Sequence, residues 1–375
     1  MDRTRLLFFG HLANDSLYTS IPPILPILAL HHKLPTAVLG LIPAAYMMTA
    51  SFLQIGVGYI HDRRQLNVLM PVGLLMGGMT IALIGFADSY QLILLLAVLG
   101  GVGSALFHPV ATSLSSVTGR RARSVSFFMT GGDLGLAAGS FICSTVVAFF
   151  GLQGTAFLLI LPLTAAILTF SGFPNQQTST KPSVGERARP DKKAMAIAVA
   201  ASLLRATTNI SILTYLPLFL ASKGVAVPYA GGILTLSILA GAAGMLTAGF
   251  FGEKIGKTKT VQTFFLLAAV LIPVAVYTSP DLALLTFPLI GFSLFASHPV
   301  LVAISHDLMP KHLGVASALM YGFTFGMANV VVPFLGLAVD LYNYETVFLS
   351  LTVFPVTAAL LVSRIPVKAE ERTIN

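Results

Sequence analysis

Twelve apolar runs dominate this sequence, and they constrain the fold more than any other feature. Crossing the hydrocarbon core of a bilayer takes about 20 apolar residues in a helix, and the runs are close to that length. Lipid offers no partner for backbone amides and no run alternates like a barrel strand, so helices are expected. We therefore predict an all-α membrane protein with twelve transmembrane helices, called spans 1 to 12. The runs cover residues 6–30, 37–60, 66–87, 91–116, 125–150, 155–173, 194–221, 229–251, 261–279, 282–305, 314–337 and 346–363.

The basic residues predict the orientation of these spans. Only 10% of the residues are charged, whereas a soluble domain carries about 25%. Of the 22 Lys and Arg residues, 19 fall on the side of the two termini, Lys33 and Lys223 fall on the other side, and Arg205 lies within span 7. Cytoplasmic loops are enriched in Lys and Arg, so we expect a multi-pass protein of a prokaryotic inner membrane with both termini cytoplasmic. The net charge of +8 then reflects topology and contact with anionic lipid, and nucleic acid is not an expected partner.

A polar, basic, proline-containing segment at 174–193 divides the chain. It separates residues 1–173 from residues 194–375, with six spans in each half, and it is expected to be a cytoplasmic linker. Four matches recur in order across it, at offsets of 195, 191, 190 and 191 residues. Ordered matches at nearly constant offset predict a duplication that forms two pseudo-symmetric six-helix bundles. The matches pair NDSLYTSIP (14–22) with NISILTYLP (209–217), GYIHDR (58–63) with GFFGEK (249–254), HP (108–109) with HP (298–299), and SFFMTGGDLG (126–135) with SALMYGFTFG (317–326).

The duplication and one short motif resemble the major facilitator superfamily over the whole chain. GVGYIHDRR (56–64) is similar to its Gly-x-x-x-Asp-Arg signature after helix 2, and parallel six-helix repeats are its architecture. Within the superfamily, GHLANDSLYTSIPPILP (10–26), GSALFHP (103–109) and RSVSFFMTGGDLGLAAG (123–139) resemble fosmidomycin-resistance-like efflux transporters. The resemblance implies the major facilitator fold, a monomer, and transport by alternating access.

In this superfamily helices 1, 4, 7 and 10 line a central cavity, and the polar residues of this chain agree with that expectation. In span 1 they recur three to four residues apart and therefore share one helix face. A charged group near the bilayer centre costs roughly 2.5–3.5 kcal/mol on insertion scales, so it should face protein or water. The candidate substrate-binding residues are His11, Asn14, Tyr18, His108, Arg205, Asn209 and His298.

Arg205 is the one Lys or Arg residue inside a span. Its planar fork of donors suits a carboxylate, a phosphate or a phosphonate on the cargo. A structural ion pair with Asp15 or Asp133 is the alternative. Asp15, Asp133 and His108 are the candidate proton-coupling residues, because a buried acid or imidazole can exchange a proton for a contact with cargo. Asp133 could instead serve helix packing or gating, since it lies in a glycine-rich stretch.

His108 and His298 each precede a proline inside a span. Pro109 and Pro299 cannot donate the helical hydrogen bond of their position, which opens the backbone locally. Opened backbone is tolerated at membrane depth only against protein or a wet cavity. Each imidazole could therefore contact cargo or a proton, or it could fill the hydrogen-bonding gap at a kink.

The loop signature supplies the candidate gating residues. Asp62, Arg63 and Arg64 are expected in a cytoplasmic turn after span 2, where the family resemblance implies a latch between the two halves. An acid there could cap a facing helix N-terminus and so stabilise one conformation. The arginines could equally be plain topology signals.

These observations together predict a secondary transporter that exports a small anionic or amphipathic compound in exchange for protons. The alternative is a divalent-metal or metal-chelate exporter with His11, Asp15, His108 and His298 as ligands. An enzyme is not expected, because the sequence contains no nucleophile elbow, phosphate-binding glycine loop or zinc motif. No cofactor is expected either, and the single cysteine, Cys143, leaves no cysteine cluster for a metal.

Overall fold

The structure is a computed structural model that describes residues 2–117, 121–173, 191–309 and 313–366. All regular secondary structure in these ranges is helical. In the N-terminal half, the spans are Arg3–Thr19 with Ile21–His32, Thr36–Arg64, Leu69–Leu83 with Ile84–Phe86, Tyr90–Val117, Arg121–Phe150, and Leu152–Leu159 with Ile160–Gly172. In the C-terminal half, they are Lys192–Ser222, Val227–Ile255, Lys257–Tyr277, Pro280–Leu308, Leu313–Ser317 with Ala318–Phe323 and Thr324–Leu341, and Tyr344–Ser350 with Val353–Val362.

The predicted all-α fold with twelve spans is confirmed. Within the described ranges, eleven spans are long and apolar enough to cross a membrane as they stand. Span 1 is interrupted at Ser20, which separates helices of 17 and 12 residues. Pro22 and Pro23 cannot donate to the carbonyls of Tyr18 and Thr19, so the ladder lacks two consecutive hydrogen bonds there. The backbone of Ser20 stays helical, and the two pieces together make one crossing.

Helix packing follows the duplication. Span 4 packs on spans 2 and 3, and span 1 packs on spans 5 and 6. In the other half, span 10 packs on spans 8 and 9, and span 7 packs on spans 11 and 12. The halves meet where span 2 packs on span 11 and where span 5 packs on span 8. Spans 2 and 8 are repeat partners, as are spans 5 and 11, so the two contacts are equivalent. A pseudo-two-fold axis between the bundles is the arrangement that produces this pattern.

Local contacts repeat in the same way. The guanidinium of Arg63 lies 4.3 Å from the centroid of the Tyr59 ring in span 2. The ammonium of Lys254 lies 4.3 Å from the centroid of the Phe250 ring in span 8. These pairs occupy matching positions of the GYIHDR and GFFGEK repeats. The sequence match therefore corresponds to a structural equivalence.

The two bundles share a core on one side of the molecule and separate on the other. The terminal side is the side where the described chain begins and ends, and the far side carries the connections at 32–36 and 222–227. On the far side, one cluster of buried apolar residues, including Leu39 and Leu216, joins both bundles. On the terminal side, the buried apolar residues form two separate clusters, one in each bundle. The bundles therefore close at the far side and part towards the terminal side.

Span 2 extends further than the sequence predicted. It continues to Arg64 and ends at Gln65, whose left-handed φ is 50°. The expected turn at Asp62, Arg63 and Arg64 was therefore wrong, because these residues belong to the last helical turn. Basic side chains at the negative end of a helix favour that extension. The side chain of Asp62 lies outside the described part of the structure, as do residues 174–190 of the predicted linker.

Candidate functional site

Three titratable side chains meet inside the N-terminal bundle and form what we call the acid–imidazole cluster. Asp15 is its centre, with Oδ2 at 3.1 Å from Nε2 of His11 and Oδ1 at 3.2 Å from Nε2 of His108. His11 and Asp15 lie one turn apart on span 1, and His108 comes from span 4. The side chains of His11, Asp15 and His108 are 6%, 16% and 31% exposed. The cluster is therefore enclosed on the His11 side and reachable past His108.

The contacts of His11 require that the His11–Asp15 pair binds a proton. Its Nδ1 lies 2.8 Å from the carbonyl oxygen of Phe128, and its ring stacks on the Phe128 ring at 4.0 Å. A carbonyl can only accept, so Nδ1 carries a hydrogen. Nε2 then faces Oδ2 of Asp15, which also only accepts when it is ionised. Neutral His11 beside ionised Asp15 would oppose two lone pairs, so one proton sits on either Nε2 or Oδ2.

His108 has partners in more than one protonation state. Asn14 donates from Nδ2 to Asp15 Oδ1 at 2.9 Å and to Ser104 Oγ at 3.3 Å. The Ser104 hydroxyl lies 3.1 Å from Nδ1 of His108 and can donate to it. The Ser104 carbonyl also lies 3.1 Å from Nδ1 and can accept from it. Nε2 faces Oδ1 of Asp15, which accepts, so Nε2 carries a hydrogen. The neutral ring then accepts from the Ser104 hydroxyl at Nδ1, and the imidazolium donates from Nδ1 to the Ser104 carbonyl, so both states keep their partners. The helix of span 4 continues through Pro109.

Span 5 approaches the cluster through glycine. A Cβ atom on Gly132 would lie 2.7 Å from His11 Nε2 and 2.8 Å from Asp15 Oδ2, closer than a Cβ can pack. Its neighbours Gly131 and Gly135 face the backbone of span 1. These glycines let spans 1 and 5 pack backbone against backbone, as a stripe of small residues does between membrane helices.

Asp133 follows Gly132 but belongs to the rim of the cluster. It lies within electrostatic range of Asp15 and His11, and also of Tyr321 in the other bundle. Among the described residues, no basic group lies within 4.0 Å of its carboxylate. In the described ranges, its carboxylate therefore has no ion-pair partner.

The C-terminal bundle holds a different set of groups, which we call the arginine–aromatic cluster. Arg205 on span 7 is 1% exposed, and its guanidinium carbon lies 5.2 Å from the centroid of the Phe325 ring on span 11. His298 on span 10 packs edge-on against Tyr321 at 4.6 Å and against Phe325 at 5.5 Å. Spans 7, 10 and 11 are the repeat partners of spans 1, 4 and 5. The two clusters are therefore equivalent in position and different in chemistry.

Four nitrogens of this cluster are buried without a partner. They are Nε and Nη2 of Arg205 and Nδ1 and Nε2 of His298, and none makes a hydrogen bond within the described ranges. A buried donor left unpaired costs about 1–3 kcal/mol, and a charged one costs more. The ion pair of Arg205 with Asp15 or Asp133, which the sequence left open, is not formed among the residues described here. The cluster is therefore suited to accept an anionic group.

Two further predicted residues lie near these clusters on spans 1 and 7. The ring centroid of Tyr18 lies 5.9 Å from that of Tyr46, and its hydroxyl approaches Thr214 of span 7, in the other bundle. Asn209 is buried one turn beyond Arg205 and so shares its helix face.

Several site residues were not found from the sequence. They lie on spans 5 and 11, whereas the resemblance directed attention to spans 1, 4, 7 and 10. The signal was available, since SFFMTGGDLG and SALMYGFTFG are a matching pair of the duplication. The missed residues are Phe128, Gly132, Tyr321 and Phe325.

A second contact between the bundles lies at the far side. The backbone amides of Thr36 and Ala37 donate to the two carboxylate oxygens of Asp340 at 2.7 and 2.8 Å. The hydroxyl groups of Tyr344 and Thr36 are 3.2 Å apart. Asp340 of span 11 thus caps the N-terminus of span 2, and we call these contacts the far-side latch. The predicted gating residues Arg63 and Arg64 are exposed at the opposite end of span 2.

The metal alternative is only partly assembled. One donor atom each from His11, Asp15 and His108 lies within 4.8 Å of the others. The fourth predicted ligand, His298, packs in the arginine–aromatic cluster instead. The four-ligand set expected from the sequence is therefore not brought together.

The sequence comparisons match this chain to transporters. The family model described as Major Facilitator Superfamily matches residues 7–321 and 196–374. Fosmidomycin resistance protein of Escherichia coli (strain K12) is 27% identical over 351 residues, which cover 90% of this chain and 86% of that protein. Uncharacterized MFS-type transporter YfnC of Bacillus subtilis (strain 168) is 27% identical over 367 residues, covering 93% and 89%. The resemblance to fosmidomycin-resistance-like transporters is confirmed.

Solved structures show the same fold. A bacterial homologue of the human lysosomal transporter Spinster, in an inward-facing and unoccupied conformation, superposes with a TM-score of 0.80 at 15% identity, covering 96% of this chain and 95% of that one. The nucleoside transporter NupG superposes with a TM-score of 0.76 at 14% identity, covering 97% and 99%. At these identities the likeness concerns the fold alone.

Proposed function

Because this chain belongs to the major facilitator superfamily, we propose that it is a proton-coupled antiporter that exports a small anionic or amphipathic compound by alternating access. Family and fold make it a membrane transporter of small molecules rather than an enzyme. The Escherichia coli relative is named for resistance to fosmidomycin, which supports efflux as the direction here. Resistance to a toxic compound would then be the benefit to the cell.

The observation that carries proton coupling is the donor count of the His11–Asp15 pair. Both ring nitrogens of His11 face oxygen acceptors, so the pair holds a proton at the bond between Nε2 and Oδ2. His108 can take up or release a second proton with its partners in place. The cluster is reachable past His108, so protons can exchange with a wet cavity.

Antiport requires that cargo and proton exclude each other at one site. An anion on Arg205 would by itself favour protonation of a nearby acid, because it adds negative charge. Binding of cargo disfavours protonation of Asp15 if a hydrogen-bond donor of the cargo contacts its carboxylate. The reason is that an oxygen that holds the proton cannot also accept a hydrogen bond from that donor. Arg205 and His298 then provide affinity for the anionic group, and Asp15 provides the coupling.

The conformation and the charge pattern support loading from the cytoplasm. The bundles part towards the terminal side, which the distribution of Lys and Arg assigns to the cytoplasm of a bacterial cell. In this scheme residues 1–173 and 194–375 rock about the site, and residues 174–193 link them on the cytoplasmic side. Both clusters belong to one chain, so the proposed mechanism requires only one monomer.

Proteoliposomes with an imposed pH gradient test the proposal, with labelled fosmidomycin and labelled phenylphosphonate as separate probes. Uphill transport should depend on the gradient and disappear in Asp15→Asn, while exchange without a gradient persists. Asp88→Asn is the matched control, because Asp88 is an exposed acid of the same bundle. Transport that ignores both the gradient and Asp15→Asn would refute proton coupling.

Export of a divalent metal is the second candidate, and the convergence of His11, Asp15 and His108 favours it. The unpaired cation of Arg205 opposes it. Calorimetry with Mn²⁺, Fe²⁺, Co²⁺ and Zn²⁺ separates the two candidates. Binding that is lost in His108→Gln and kept in Arg205→Lys would support the metal candidate.

A further inference from the structure

Tyr321 exposes an aromatic surface to the space between the bundles. It is 47% exposed, although its ring packs on His298 at 4.6 Å. It also lies within electrostatic range of Arg205 in its own bundle and of Asp133 in the other. The ring packs on buried His298, and residues Ala318–Phe323 contact span 2 of the other bundle, so the exposed surface of Tyr321 lies beside the space between the bundles.

The backbone around Tyr321 differs from that of its repeat partner in the other bundle. Residues Ala318–Phe323 form a π-helical turn within span 11, whereas its repeat partner, span 5, is α-helical throughout Arg121–Phe150. Single π-helical turns occur frequently at functional sites, where they re-aim side chains. The positions of span 5 that match Tyr321 and Phe325 are Thr130 and Leu134 in the repeat. The aromatic surface is therefore a feature of the C-terminal bundle that the duplication does not explain.

The nitrogens of Arg205 and His298, beside the ring of Tyr321, indicate that a ligand on this surface carries an anionic group. Arg205 and His298 present four buried nitrogens that have no protein partner within the described residues. Phe325 covers one face of the guanidinium, so a ligand approaches its edge, where the donors lie. A small inorganic anion would satisfy these donors and leave the ring of Tyr321 uncovered. A carboxylate or similar group attached to a flat ring satisfies both.

We infer that the cargo is a planar aromatic anion whose ring stacks on Tyr321 while its charged group binds Arg205 and His298. This inference rests on the proposed function and adds the class of substrate. Tyr321 then determines specificity, because stacking stabilises a bound aromatic ring more than an aliphatic ring of equal size. Ring pairs contribute roughly 2- to 12-fold in affinity beyond the burial of area.

Benzoate and cyclohexanecarboxylate are the matched probes, since they share charge and size and differ in aromaticity. Isothermal titration of the purified full-length protein should show benzoate binding about 5-fold more tightly. Tyr321→Leu should abolish this preference and leave cyclohexanecarboxylate within about 2-fold of its original affinity. Tyr321→Phe keeps the ring and should keep the preference. Arg205→Lys should weaken both probes together, because the bidentate fork is lost.

The outcomes separate the inference from the proposed function. Equal binding of both probes, unchanged in Tyr321→Leu, would overturn the aromatic class and leave the anion site intact. Absence of binding for both probes in the unmodified protein would overturn the anion site and the inference with it. Size-exclusion profiles and melting temperatures of the ligand-free variants verify folding, and Tyr321→Phe provides a second reading if Tyr321→Leu does not fold.

Discussion

Replacing Asp340 by asparagine tests the far-side latch as a determinant of the conformational equilibrium. The carboxylate accepts hydrogen bonds from the amides of Thr36 and Ala37 at 2.7 and 2.8 Å. Both amides lie at the N-terminus of span 2, where the helix dipole also favours a negative charge. Because donor and acceptor belong to different bundles, these bonds exist only while the far side is closed.

The magnitude follows from the groups that are lost. Asparagine keeps one acceptor oxygen and loses the charge and the second hydrogen bond. A cap bond is worth about 0.5–2 kcal/mol, and the charge at a helix N-terminus adds about 0.3–1 kcal/mol. A loss of about 1–2 kcal/mol would raise the ratio of far-side-open to far-side-closed molecules roughly 5- to 30-fold.

Distances between spin labels on the two bundles measure this shift. Leu30 and Tyr277 are exposed at the far side of different bundles, with 83% and 75% exposure, and both suit labelling as cysteines. The single native cysteine is replaced first. We expect Asp340→Asn to increase the long-distance fraction. Asp281→Asn, an acid in the first turn of span 10, is the matched control and should leave the distances unchanged. Identical distributions in Asp340→Asn and the parent protein would refute the latch.

Three further predictions concern the two clusters. Gly132→Ala should reduce proton-coupled transport at least about 10-fold in a flux assay, because its Cβ would displace His11 and Asp15. Gly232→Ala is the control: its Cβ would meet open space, so the transport rate should not change. His11→Phe should keep the stack on the neighbouring ring and abolish proton movement per cargo, as read with a pH-sensitive dye; unchanged proton flux would contradict the assignment. Arg205→Met should stop cargo binding and yet raise the free energy of unfolding by about 1–3 kcal/mol, because buried unpaired donors are removed; denaturant titration checks the sign.

The sequence alone predicted a large part of this molecule. The twelve spans follow from runs of apolar residues, and the duplication follows from four ordered matches. The pairing of His11 and Asp15 also follows locally, since they lie one turn apart on a helix. The end of span 2 was predicted wrongly because Asp62–Arg64 look like loop residues by charge, whereas the helix dipole favours basic residues in a last turn. The unpaired state of Arg205 could not be predicted, because it depends on which acids reach it.

What the sequence determined by itself is local: the length and hydrophobicity of each crossing. Lipid requires every span to satisfy its own backbone within the helix, so each crossing is encoded in its own consecutive residues. What only the tertiary structure decided is which side chains meet. His11 contacts Phe128 across 117 positions of sequence, and Thr36 contacts Asp340 across 304. Such meetings depend on the rotation and crossing of packed helices, and those depend on small residues such as Gly132 that allow close approach.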